Sequence, residues 1–245
     1  MMVSSLLFLS YFFANDAVGP FEDNFAIINS YDWSVSVSES PGQTKDHNGT
    51  FVLDNAQIVD GYLQLKLEQV KLENGEFASY GGELSTLREF GYGTYEFRMR
   101  ASTTSDTPNG PGEAVSGSVS AAFVYADDAT TEIDVEFEGN ENQDATHLLS
   151  WIGEKRDNQH TKLLLGGVAP HDQFYVYQFV WRPDSVTFYR DGVLIAKHET
   201  IVPVAPGKMV FNHWGTHSQW WGGWATPGTV RYTYVDWFRF TPFEE

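Results

Sequence analysis

Hydrophobic and polar residues alternate with a period of two over much of this chain. Leu63, Leu65 and Leu67 alternate with Gln64, Lys66 and Glu68, and Tyr95, Phe97 and Met99 alternate with Glu96, Arg98 and Arg100. Successive side chains on a β-strand point to opposite faces, so each run predicts a strand with one buried face. Val119–Tyr125 and the aromatic run Phe174–Trp181 predict two more, and Val230–Phe240 closes the series. Val186–Arg190 and Val193–Ile195 flank Asp191-Gly192, a dipeptide suited to a tight two-residue hairpin. No stretch carries apolar residues at helical spacing, and neither an internal repeat nor a linker stands out. The pattern predicts an all-β sandwich forming a single domain over residues 20–245. Residues Ser102–Ser120, rich in Ser, Thr, Gly and Pro, predict a long loop, either bordering a cleft or running over the surface.

One strand alternates differently. In Thr131–Gly139, Glu132, Asp134, Glu136 and Glu138 share one parity and Ile133, Val135 and Phe137 the other. The apolar face can enter a core. The acidic face cannot, because unpaired buried charge is costly, so it must face solvent or a wet cleft. Glycoside hydrolysis uses two carboxyl groups, one protonated and one ionised, and crowding carboxylates separates their pKa values. At roughly 3.3 Å per residue the Cα atoms of Glu132 and Glu136 lie about 13 Å apart. Side chains leaning together could reach the separation of about 5–5.5 Å for retention or about 6.5–9.5 Å for inversion, so spacing leaves both open. Asp134 lies between them, placed to hydrogen-bond one glutamate. A calcium site and a solvated acidic edge strand are the rival readings of the acids alone.

A second concentration of chemistry lies at Phe211–Trp224, which holds Trp214, Trp220, Trp221 and Trp224 among Asn212, His213, His217, Gln219 and several glycines. Indole faces stack on sugar rings, and amide and imidazole edges bond hydroxyls. Four tryptophans in eleven residues cannot all point inward, so at least one is expected in a binding cleft. Trp214, Trp221, Asn212 and His213 are the candidate substrate-binding residues. His213 and His217 as metal ligands lack a third partner.

Charge narrows the partners. Acids outnumber bases 33 to 15, for a net charge of −18, which disfavours nucleic acid and anionic membranes and favours a neutral polymer. With no cysteine there is no disulfide framework and no thiol nucleophile. Residues 1–19 are expected to be a signal peptide or N-terminal extension. Leu6–Ala14 resembles the apolar core of a secretory signal, with Ala14 and Ala17 near a cleavage point, although no Lys or Arg precedes Lys45. Secretion is the corresponding expectation. Asn48-Gly49-Thr50 is a glycosylation sequon.

Glu132-Ile133-Asp134-Val135-Glu136-Phe137, read beside the Trp-rich run, resembles glycoside hydrolase family 16, which includes lichenases, laminarinases and xyloglucan endotransglycosylases. The Glu-x-Asp-x-Glu spacing is similar to the lichenase and xyloglucan-enzyme branch; laminarinases typically carry one extra residue. Gly82-Glu83, Phe90–Met99, Phe174–Leu194, Pro206–Met209, Asn212, Trp214 and Asp236-Trp237 match in order, so the resemblance spans about Pro20 to Phe240. It implies a concanavalin-like β-jelly roll, two curved antiparallel sheets packed as a sandwich with the cleft on the concave face. It also implies a retaining mechanism with Glu132 as nucleophile, Glu136 as general acid/base and Asp134 as electrostatic helper. Glu83 and Asn212 match positions that bond the sugar nearest the scissile bond, and Trp214 matches a cleft aromatic. A structural calcium would be held by Asp236, with backbone carbonyls near Gly61 and Asn24. The implied activity is endo-hydrolysis of β-1,3/1,4-glucan by a monomer, with a glucan or xyloglucan transglycosylase and a non-catalytic lectin-like module as alternatives. The chain departs from lichenases at Thr130-Thr131 in place of Trp-Asp, at Ser85 in place of Arg, and at Glu138 in place of Leu. Glu138, a fourth acid on the cleft face, is expected to raise the pKa of Glu136.

Overall fold

The computed structural model describes residues 19–38, 40–41, 46–128, 130–139, 145–152, 157–164 and 169–243. The expected leader, apart from Gly19, lies outside them. Among the described residues the alternating runs become sixteen strands: β1 (Phe21–Asp23), β2 (Trp33–Val35), β3 (Gly49–Phe51), β4 (Ala56–Val59), β5 (Tyr62–Lys71), β6 (Phe77–Phe90), β7 (Gly93–Thr103), β8 (Ser118–Tyr125), β9 (Thr131–Glu138), β10 (Ala145–Ile152), β11 (Asp157–Leu164), β12 (Tyr175–Arg182), β13 (Ser185–Arg190), β14 (Val193–His198), β15 (Gly207–Gly215) and β16 (Arg231–Pro242).

The strands follow one hydrogen-bonded path, β11-β10-β9-β8-β15-β6-β5-β16-β7-β12-β13-β14, with β1 on β16, β2 and β3 on β6, and β4 on β5. Adjacent strands on this path run antiparallel, and β3 joins β6 in parallel. The chain therefore forms the jelly roll, with one refinement. Its two curved layers are a single sheet folded over, not two separate ones. The fold-over lies in β5 and β6. Glu68–Lys71 of β5 pairs with Phe77–Tyr80 of β6, while Leu63–Leu67 of β5 pairs with β16 of the other layer.

The core fills the space between the layers. Tyr95, Phe97 and Met99 of β7 enter it, as do Phe179 and Trp181 of β12, Phe211 of β15, and Phe238 and Phe240 of β16. Ile133, Val135 and Phe137 join them from β9, which commits that strand's acids to the opposite face. Tyr95 stacks on Phe179 with ring centroids 4.5 Å apart. Burying each such side chain contributes on the order of 1.5–3 kcal/mol. At the expected hairpin, Asp191 and Gly192 both adopt positive φ, 49° and 75°, as a type I′ turn requires.

The long loop is residues 104–117. It does not line the cleft. It covers Arg100 instead, which simple alternation would place in solvent. Arg100 is 1% exposed, and its guanidinium donates to the carbonyls of His171 (2.7 Å) and Pro108 (2.8 Å) and to the hydroxyl of Thr103 (3.2 Å). Buried charge persists where its donors are satisfied.

Candidate active site

Cross-strand register sets the concave floor out in rows. One row runs Glu83, Asn212, Ala121, Glu136, His147, Lys162 across β6, β15, β8, β9, β10 and β11. The next runs Ser85, Val210, Phe123, Asp134, Leu149, His160, and the third Lys208, Tyr125, Glu132, Trp151, Asn158. All of these residues except Ala121, His147 and Lys162 line an open cleft of about 1030 Å³. Antiparallel pairing keeps each row on one face, so residues from six strands converge without any loop holding them.

The acids of β9 meet different surroundings. Asp134 is 2% exposed, and its Oδ2 accepts the indole N–H of Trp151 at 3.0 Å. Glu132 and Glu136 remain partly exposed on the floor. Glu136 is sunk among protein atoms, and that burial, with the charges of Glu132 and Glu138, pushes its pKa up to about 8. A carboxyl that keeps its proton near neutral pH beside a second carboxyl is the asymmetric pair that acid/base cleavage of an acetal requires.

Glu83 and Asn212 lie side by side. Glu83 accepts from the Ser36 hydroxyl at 2.6 Å and from the Asn212 side-chain amide at 3.2 Å. Burial raises the Glu83 pKa, and these two hydrogen bonds oppose the rise. Glu138 is not a loose fourth acid in the cleft. It is 4% exposed, in contact with the His147 ring, 3.5 Å from Lys162 Nζ, and accepts the Gly222 N–H at 2.9 Å. Burial alone would raise its pKa, but His147, the Gly222 N–H and Lys162 bring it below the usual value. Its charge still acts on Glu136 in the expected upward direction.

Of the four clustered tryptophans, Trp214 and Trp221 line the cleft, while Trp220 and Trp224 are exposed outside it. Trp214 packs with Phe51 and Val119 in a small apolar cluster that Trp221 covers.

His213 corrects the sequence-based expectation. Phe211–Gly215 lies within strand β15, not a loop, so His213 points away from its cleft-facing neighbours Asn212 and Trp214. It is fully buried, its ring nitrogens 2.9 Å from the Leu65 carbonyl and from the Ser102 hydroxyl. Burial drops its pKa to about 3, so it is neutral and structural. His217 packs at a tilt against Phe77, ring centroids 4.2 Å apart, and accepts the Ala225 N–H. Among the described residues no group of three or more His, Asp or Glu could hold a metal.

The expected calcium position shows a competitor. Asp236 is ion-paired with Arg98, whose guanidinium also lies 4.5 Å over the Phe174 ring. Gly61 sits in the β4–β5 turn with φ 82°, and the Asn24 side chain accepts the Ala26 N–H at 3.3 Å. A calcium ion held by the Asp236 carboxylate would compete with the Arg98 guanidinium for it.

Sequence reasoning overlooked Ser36, His147, Trp151, Asn158 and His160, all on or beside the floor. A signal was present in β11, where Asn158, His160 and Lys162 share one parity.

A jelly roll whose concave floor carries a Glu-x-Asp-x-Glu strand, with one glutamate held protonated, defines a glycoside hydrolase. Residues 43–239 match the glycosyl hydrolases family 16 model, and the chain belongs to that family. It is 31% identical over 212 residues to the endo-1,3-1,4-β-glycanase ExoK of Rhizobium meliloti, covering 82% of this chain and 71% of that protein. It is 28% identical over 247 residues to a β-glucanase of Paenibacillus polymyxa, covering 98% of this chain and 95% of that one. The structure superposes on Bacillus licheniformis β-glucanase with a TM-score of 0.76 at 26% identity, covering 92% of this chain and 99% of that chain.

Proposed function

We propose that this family 16 glycoside hydrolase is a secreted, monomeric, retaining endo-β-glucanase acting on mixed β-1,3/1,4-linked glucan. The observation that carries the reading is the contrast along β9, where Glu136 keeps its proton to about pH 8 two residues from the buried, indole-bonded Asp134 and four from Glu132. In the first step the Glu132 carboxylate attacks the anomeric carbon while Glu136 gives its proton to the departing glycosidic oxygen. In the second, ionised Glu136 takes a proton from water, which attacks the same carbon and releases Glu132. Asp134, held by Trp151, orders the two glutamates. Glu83 and Asn212, in the same row as Glu136, bond sugar hydroxyls, and Trp214 and Trp221 supply aromatic faces. An open cleft admits the middle of a polymer, which supports endo-action. The relatives named as β-glucanases support the glucan assignment. A polymeric substrate lies outside cells, which is the reason for proposing secretion.

The test incubates the protein with barley mixed-linkage glucan, laminarin, xyloglucan and agarose, with Glu132→Ala as control, and measures reducing ends and product size. New reducing ends from mixed-linkage glucan, absent in Glu132→Ala, are expected. Redistributed chain lengths without new ends would instead identify a transglycosylase. Retention on a polymer without cleavage would identify a binding module.

A further inference from the structure

The loop between β15 and β16 is fastened along its length, yet it turns two indoles to solvent. Thr216 N–H donates to the Gly117 carbonyl at 3.0 Å, and Gly117 N–H to the Gly222 carbonyl at 2.8 Å. Gly222 N–H donates to Glu138, and Ser218 and Gly223 form a bridge across the loop. From beneath, the buried Gln69 amide donates to the Thr216 carbonyl at 3.0 Å, and its oxygen accepts the Thr226 N–H at 3.0 Å. On this backing the tryptophans divide. Trp221 lines the cleft, whereas Trp220 is 81% exposed and Trp224 53% exposed outside it. Trp224 leans on His217 with centroids 4.9 Å apart, and His217 in turn packs on Phe77. An indole left in water adds almost no burial energy to the fold, so core packing does not account for either residue.

We propose that Trp220 and Trp224 form a second polysaccharide-binding surface outside the cleft, which holds one segment of a neutral β-linked glucan while another segment occupies the cleft. The inference rests on the glucan reading of the cleft. The chemistry of the loop selects this occupant. Residues 216–228 contain no Leu, Ile, Val or Met. A protein interface centres on an apolar core within roughly 800 Å² per partner, and two indoles among Gly, Ser and Thr do not supply one. The net charge of −18 opposes an anionic membrane or a nucleic acid. A β-linked glucose unit has C–H groups on both ring faces and hydroxyls around its edge. It needs a flat aromatic face with polar neighbours, which the indoles and the exposed Gln219 provide. The surface is also continuous with the cleft, because Trp220 and Trp221 are adjacent and lie on the two sides of one wall. Holding a second segment raises the effective concentration of polymer at the cleft without touching the chemistry.

The experiment compares Trp220→Ala, Trp224→Ala and the double variant in the full chain. Each is combined with Glu132→Ala to prevent cleavage and run in native gels containing barley mixed-linkage glucan, where retardation reports binding. Loss of one stacking face is expected to weaken retention about fivefold in each single variant and further in the double. With Glu132 restored, KM for the polymer should rise by a similar factor at unchanged kcat. On a mixed-linkage tetrasaccharide, too short to engage both places, kcat/KM should stay within about twofold of wild type. Trp220→Phe, which keeps a flat ring, should recover most of the retention. Trp220 is so exposed that its truncation leaves the packing intact, so its result stands even if Trp224→Ala unfolds. Unchanged retention, or equal losses on polymer and tetrasaccharide, would overturn the second surface while leaving the glucanase reading intact. Wild-type protein that is retained without cleaving would refute the glucanase reading, and the surface would still be judged by retention. Wild-type protein that is not retained, or a concentration-dependent dimer in sedimentation that Trp220→Ala abolishes, would overturn the proposal.

Discussion

Replacing Glu136 with Gln should abolish cleavage and stabilise the protein, and the gain should depend on pH. Burial and two neighbouring carboxylates hold the Glu136 proton up to about pH 8, against an ordinary value of 4.5. Between those values the folded chain binds more protons at this site than the unfolded chain. Stability therefore falls as pH rises through that window, and the full cost is present above about pH 8. The gap corresponds to about 5 kcal/mol at 1.36 kcal/mol per pH unit. Glu136 is partly exposed, and solvent screening reduces that ceiling, so about 2 kcal/mol is expected. For a chain of this size that corresponds to a rise of roughly 4–8 °C in Tm. The assay is thermal unfolding of wild type and Glu136→Gln at pH 4, 6.5 and 8.5. The curves should nearly coincide at the lowest pH and separate progressively above it. An offset independent of pH, or a Gln variant less stable at pH 8.5, would refute the claim that the cleft carries this charge at a cost to the fold.

Other expectations concern the frame around the cleft. At Gly82 an added Cβ would stand 2.2 Å from the Asn55 carbonyl oxygen, so Gly82→Ala should cost about 1–3 kcal/mol in urea unfolding and disturb the adjacent Glu83. Trp181 is fully buried and donates its indole N–H to the Pro203 carbonyl at 2.9 Å, so Trp181→Ala should cost about 3–5 kcal/mol in the same assay. Calcium or a chelator should leave Tm unchanged, because Arg98 already neutralises Asp236. A clear rise in Tm with calcium would show that the ion displaces the guanidinium.

Where alternation was clean, strands and faces were legible in advance. β5, β7 and β9 follow it, and the division of β9 into an acidic floor and an apolar core face was readable from seven residues. His213 was misplaced because its Trp- and Gly-rich neighbourhood concealed the strand character of β15. Had parity been applied there, Asn212 and Trp214 would have been separated from it. His147 was hidden for a related reason: Leu148 and Leu149 are adjacent and both buried, which blurs the two faces of β10. Arg100 obeys alternation but is roofed by residues 104–117, a tertiary contact that no local pattern encodes. The pairing of Glu138 with His147 and Gly222 likewise joins segments that are far apart in sequence.

The separation of floor from core by parity bears on how this enzyme can change over generations. Ser85, Phe123, Tyr125 and Asn158 all line the cleft, yet in β8, for example, the residues beside Phe123, Ala122 and Val124, lie in the core. Substitutions at such positions can be sampled one at a time, in nature or in a combinatorial library, without rewriting the packing beneath. Insertions and deletions are another matter. Losing one residue from β9 would turn carboxylates toward the apolar interior and phenylalanine toward the sugar, so ancestry can tinker with this cleft by replacement far more easily than by changing its length.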